Sequence, residues 1–113
     1  VTVGALQQIT SLNVNEKISG PVLFNLSQNF PNPFNSSTTI KYEIFKSGPV
    51  KIVIINSKGE DVRSIINKHH HAGEYLIQWD GTDSQGINMA SGIYFYKIIS
   101  GARIKIQKMM YLK

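Results

Sequence analysis

From Thr38 the chain alternates: Ile40, Tyr42 and Ile44 are apolar, while Thr39, Lys41 and Glu43 between them are polar. Successive side chains on a strand point to opposite faces, so this period of two predicts a half-buried β-strand. After the Ser47-Gly48-Pro49 break, Val50, Ile52 and Ile54 repeat the period, and Val53 and Ile55 make the second face apolar as well, as in a central strand. Asn56-Ser57-Lys58-Gly59 is a turn sequence, returning the chain through Asp61 to Ile66. Tyr75, Ile77 and Trp79 then alternate with Glu74, Leu76 and Gln78 in a further strand.

The turn formers Asp80 to Gly86 follow, Ser91-Gly92 introduces an apolar stretch from Ile93 to Ile99, and past Gly101 a last strand is predicted from Arg103 to Leu112. Which face of that strand is buried stays open, since Met109 and Tyr111 compete with Met110 and Leu112. About seven short strands separated by Gly, Pro, Asn and Asp turns predict an all-β, antiparallel sandwich, because two one-sided sheets bury their apolar faces against each other. Trp79 is placed in that core, with its indole N–H seeking a backbone carbonyl near the following turn.

Ahead of the strands, residues 1–21 show no sustained period and read as a linker, leaving 22–113 as the folded domain. Val22 to Leu26 is a short extended segment. It leads into Gln28-Asn29-Phe30-Pro31-Asn32-Pro33-Phe34-Asn35, where the prolines predict an extended, stiff strap anchored by Phe30 and Phe34.

A chain of 113 residues with 42% hydrophobic content suits one core, and without cysteine that core must be held by packing alone. No apolar run approaches the roughly 20 residues of a membrane-spanning helix. Val1 to Thr10 lack the pattern of a signal peptide, so a targeting peptide for an exported protein is expected upstream. The net charge is +5, but Lys and Arg are spread along the chain, so no nucleic-acid partner is indicated.

In order, Leu26 to Asn35, Thr38 to Ile44, Val50 to Gly59, Ala72-Gly73, Trp79 to Gly86, Ser91-Gly92-Ile93-Tyr94-Phe95-Tyr96 and Lys108-Met109 to Lys113 resemble the C-terminal sorting domain of type IX secretion substrates. The resemblance implies an immunoglobulin-like module that tags an upstream cargo domain, joined to it by the linker of residues 1–21, and is a substrate of the export machinery rather than an enzyme. Such a module is handled by the type IX outer-membrane translocon and its shuttle proteins after passage to the periplasm. A sortase-like surface peptidase then processes it, leaving the cargo secreted or on the cell surface. Gly92 and Tyr94 match the family's Gly-x-Tyr element, in which the glycine admits a close backbone approach and the tyrosine packs. Lys108 and Lys113 match its basic last strand, and Pro31, Asn32, Pro33 and Phe34 match its entry strap. The translocon-recognition role implied for Gly92, Tyr94, Lys108 and Lys113 comes from this resemblance. Ser36 and Lys46 depart from it, standing where many relatives have proline.

Candidate chemistry adds little. Consecutive His69, His70 and His71 point to opposite sides of an extended chain, are poorly arranged to share a metal, and read as a solvated loop. Asp80, Asp83, Thr82, Ser84 and Asn88 offer oxygen ligands without the spacing of a calcium loop, and their simpler role is to accept hydrogen bonds from their own turn. Ser91, His70 and Asp80 lack the local context of a hydrolase triad. No catalytic residue, metal or cofactor is expected.

Two other functions compete with the sorting tag. The stretch from Trp79 to Tyr94 also resembles the immunoglobulin-like domain of flagellar hook-cap proteins, which implies a structural assembly or filament module. Tyr94 and Tyr96, on one strand face, could stack sugars if that face is open.

Overall fold

The computed structural model describes residues 22–113, and the linker expected over residues 1–21 lies outside them. The described residues form seven strands and no helix: β1 Phe24–Leu26, β2 Thr38–Ile44, β3 Gly48–Asn56, β4 Asp61–His70, β5 Gly73–Trp79, β6 Gly92–Ser100 and β7 Arg103–Tyr111. Strands β1, β2 and β5 make one antiparallel sheet in the order β1-β2-β5, and the other runs β4-β3-β6-β7. This is the antiparallel sandwich that the alternation predicts, with the immunoglobulin-like build that the resemblance implies.

The two sheets face each other through the residues of matching parity. Ile40, Tyr42 and Ile44 from β2, Phe24 and Leu26 from β1 and Trp79 from β5 meet Val50, Ile52 and Ile54 from β3, Tyr96 and Ile98 from β6 and Met109 from β7. Burying one such side chain fully is worth about 1.5–3 kcal/mol, so this cluster supplies the driving force that disulfides supply elsewhere. Strand β3 is central, paired with β4 on one side and β6 on the other, and Val53 on its outward face is buried too. The chain leaves β3 through the predicted turn, where Asn56 Oδ1 accepts from the N–H groups of Lys58 and Glu60, both at 2.9 Å, and Gly59 adopts a φ of 84°.

Two expectations need correction. The histidine triplet is not a solvated loop: β4 runs on through His69 and His70, because β3 begins at Gly48 and offers pairing partners as far as His70. His70 is buried, its Nε2 lies 2.7 Å from the Tyr42 hydroxyl, and its ring packs 4.3 Å from that of Tyr75. The strap is also not one extended piece anchored at both ends. It bends at residues 31–33 and 35–36, with cis peptide bonds before Pro31 and Pro33, and only Phe34 is an anchor; Phe30 is 79% exposed. Phe30 is held by its backbone instead, exchanging hydrogen bonds with Thr39 at 2.9 Å in both directions.

Candidate functional site

The last strand settles its open question by packing Met109 and Tyr111 inward and leaving Lys108, Met110, Leu112 and Lys113 exposed. Its inner edge pairs with β6 in unbroken register from Gly92↔Tyr111 to Ser100↔Arg103. Its outer edge is clasped in part by the strap. Phe34 N–H donates to the Met110 carbonyl at 3.1 Å, and Leu112 N–H donates to the Phe34 carbonyl at 2.8 Å, a short parallel bridge. Asn32 Oδ1 accepts from Met110 N–H at 2.9 Å, and Gln28 Nε2 donates to the Lys108 carbonyl at 2.7 Å. Backbone groups that an edge strand would leave open are therefore satisfied over Lys108 to Leu112.

Side chains fasten the same joint. The Phe34 ring stacks on Tyr111 with centroids 4.9 Å apart and meets Trp79 edge-on at 5.7 Å. Tyr94 meets Trp79 edge-on at 5.3 Å, and its hydroxyl donates to the Ala90 carbonyl at 2.7 Å. Trp79 Nε1 donates to the Thr82 carbonyl at 2.8 Å, the turn partner expected for it. Behind the strap, buried Asn29 donates from Nδ2 to the Pro31 carbonyl and to Thr38 Oγ1, and Thr38 donates in turn to the Pro31 carbonyl. Tyr96 adds a hydrogen bond from its hydroxyl to the Ser27 carbonyl at 2.6 Å.

Of the residues singled out in the sequence, Pro31, Asn32, Pro33 and Phe34 lie beside Lys108 to Lys113 on this joint. Asn32 and Pro33 share a hollow with Ile93, Lys108, Met109 and Met110, and Pro31, Pro33 and Phe34 share another with Leu112 and Lys113. Lys108 and Lys113 are solvent-facing, and Lys113 N–H donates to Ser91 Oγ at 2.9 Å. Tyr94 is in the core, so a folded module presents it to no partner directly. Gly92 makes no close approach: a methyl at its Cα would meet nothing within 4 Å, and glycine is favoured there by a φ of 153°. The close approach belongs to Gly81, which the sequence reading treated only as a turn residue. With Tyr94 and Tyr96 only 5% and 0% exposed, stacking of sugars on them is overturned.

The residues missed were Gln28, Asn29, Thr38 and Tyr111. Asn29 carried one signal, a polar residue among the aromatic and proline residues of the strap, but its partner Thr38 is across a bend that local pattern does not reveal.

The turn carboxylates serve the turns. Asp83 Oδ1 accepts from Gln85 and Ile87 N–H at 2.9 and 3.0 Å, and Asp80 accepts from the Thr82 hydroxyl and N–H. The Thr82 hydroxyl bond, aided by the Arg63 guanidinium 3.6 Å away, holds the Asp80 carboxyl below the usual range. Among the described residues no cluster of His, Asp and Glu is arranged to hold a metal ion. No helix among them is long and apolar enough to cross a membrane.

Fold and joint together define an immunoglobulin-like sandwich module whose last strand is clasped by the segment that opens it. The chain belongs to the FlgD Ig-like domain family, whose model matches residues 35–101. Among solved structures, latent dimeric PorU from Porphyromonas gingivalis is similar at 22% identity and a TM-score of 0.66, over 90% of this chain and 10% of that one. FlgD from Xanthomonas campestris, described for hook capping in flagellar assembly, is similar at 24% identity and a TM-score of 0.54, over 78% of this chain and 64% of that one. PorZ, described as an essential bacterial surface component of the type IX secretion system of Porphyromonas gingivalis, is similar at 18% identity and a TM-score of 0.52, over 76% of this chain and 11% of that one. These likenesses establish the fold. The chain spans about a tenth of the PorU and PorZ chains and under two thirds of FlgD. No curated protein matches the sequence.

Proposed function

We propose that this module is a non-catalytic sorting tag, read by the type IX outer-membrane translocon and its shuttle proteins on an exported cargo and then met by a sortase-like surface peptidase. The observation that carries the reading is the basic, solvent-exposed end of the module, with Lys108 on the outward face of β7 and Lys113 just past its last residue, on a strand fixed by the Pro31 to Phe34 strap. A tag must hold its recognition strand in one place yet leave side chains and some backbone within reach, and this joint meets both needs. The cargo is then delivered through the periplasm to the medium or the cell surface.

The test is export of a periplasmic reporter fused ahead of residues 1–113 in a host with type IX secretion. The intact fusion is expected outside the cell, and Lys108→Glu with Lys113→Glu is expected to leave it periplasmic while the module stays folded. Export of the double variant at the intact level would sink the reading. Charge reversal is preferred to deleting residues 108–113, because deletion also removes Met109 and Tyr111 from the core.

A second reading, a structural unit of an extracellular or hook-type assembly, is favoured by the family match itself. That match begins at residue 35 and stops at 101, so the strap residues 31–34 and β7, which favour the sorting tag over the hook-type module, lie outside it. A filament or hook assembly formed by the module, with no export of the reporter, would favour this second reading.

A further inference from the structure

Strand β7 has an outer edge in two halves. Residues 108, 110 and 112 turn backbone groups toward the strap and are bonded there. In an antiparallel strand every second residue faces the same edge, so the N–H and C=O groups of Ile104 and Ile106 point the same way. Among the described residues nothing bonds them. The strap stops at Lys108, and beyond it Gln107 Nε2 reaches the Leu26 carbonyl at 3.2 Å. Past that bond β1 and β7 part around an open groove of 450 Å³ bordered by Val22, Phe24, Asn25, Ala102, Ile104 and Lys105.

The side chains around this gap have one character. Ile104 and Ile106 are 59% and 51% exposed on the outward face, where an unmatched edge is ordinarily blunted by charge. Lys105 lies between them on the opposite face, and Lys97 and Lys108 stand on the outward face beside them. From Ser84 to Lys113 the chain carries Lys97, Arg103, Lys105, Lys108 and Lys113 and no Asp or Glu. A second copy pairing edge to edge would bring lysine against lysine, which disfavours it. Residues 1–21 hold one acid, Glu16, beside Lys17, and bring no net negative charge.

We propose that the open half of the β7 edge is a strand-addition site for an extended, acidic segment of a partner protein. The incoming chain bonds Ile104 and Ile106 through its backbone, lays apolar side chains on theirs, and sets carboxylates against Lys105 and its basic neighbours. This deepens the export reading by giving the tag's last strand a class of partner, and rests on that reading for its setting.

The probe is a short fluorescein-labelled peptide alternating Val and Glu, titrated with the full chain by fluorescence anisotropy beside its Val and Lys counterpart. Saturable binding of the acidic peptide alone, weakened by added salt, is expected. Ile106→Pro removes an edge N–H without touching the β6 ladder, where proline is tolerated, and is expected to weaken binding about tenfold or more, as is Lys105→Glu. Should Ile106→Pro lose its circular dichroism signature, a peptide N-methylated at alternate residues replaces it and is expected not to bind. Equal binding of both peptides, undiminished binding to folded Ile106→Pro or by the methylated peptide, or no binding at all overturns the proposal. So does a dimer of the chain that Ile106→Pro abolishes, or binding that appears only after residues 1–21 are removed. Reporter export without peptide binding removes this inference alone, and peptide binding without export removes the sorting role alone.

Discussion

The Cα of Gly81 rests against the ring of Tyr111, so near that a methyl group placed there would stand 2.5 Å from Cζ and 2.6 Å from the hydroxyl. Gly81 also has a φ of 79°, which side-chain-bearing residues rarely adopt. The turn after β5 and the end of β7 are thus fitted to each other through the absence of a side chain.

Gly81→Ala is expected to cost about 2–4 kcal/mol, from backbone strain and displacement of the Tyr111 ring together. Gly48→Ala, with open space around it and no positive φ, is the control and is expected to change little. Urea unfolding followed by Trp79 fluorescence reads both; equal stability of the two variants would refute the close fit.

The strap's two phenylalanines are expected to behave oppositely. Phe34→Ala removes a buried ring stacked on Tyr111 and should cost about 3–5 kcal/mol, whereas Phe30→Ala removes an exposed ring and should stay within about 0.5 kcal/mol. Thermal melts of the two variants beside the parent distinguish them.

Tyr42→Phe is expected to destabilise by about 1–3 kcal/mol. Among the described residues His70 Nδ1 has no partner, and losing the Tyr42 hydroxyl leaves Nε2 unpaired as well. Adding His70→Leu to Tyr42→Phe should recover much of that loss, since both polar partners are then gone. A double-mutant cycle with no coupling would show that the pair does not act as one unit.

Stability is expected to fall on the alkaline side. Burial pushes the Tyr42 and Tyr96 hydroxyls up to about 12, Tyr42 with help from Tyr75, and Tyr96 against a smaller lowering by its backbone contact at Asn29. In the unfolded chain both ionise near 10, so between about pH 10 and 12 the unfolded state releases protons that the folded state keeps. Their contribution is whole below pH 10 and is lost as pH climbs through 12. Tm measured across that window should drop, and less steeply for Tyr96→Phe; a flat profile would contradict the burial of these hydroxyls.

The strands themselves were legible because side-chain parity carries burial: Ile40, Tyr42 and Ile44 showed their facing in the sequence, as did Trp79 its turn carbonyl. His70 was misplaced because three histidines look polar on a local scale, whereas strand length is set by what β3 offers across the sheet. Phe30 and Phe34 are alike to any local rule, and only the position of Tyr111 separates them. The clasp on β7 was illegible for the same reason, since Asn32 and Met110 meet only after both sheets have formed.

The bonds from Phe34 to Met110 and Leu112 join the module's opening segment to its closing one. A cut or frameshift ahead of Met110 therefore strips the strap of its seat as well as removing the tail. Damage to the last strand is thus reported in the strap, and a truncated module is loosened in two places instead of one.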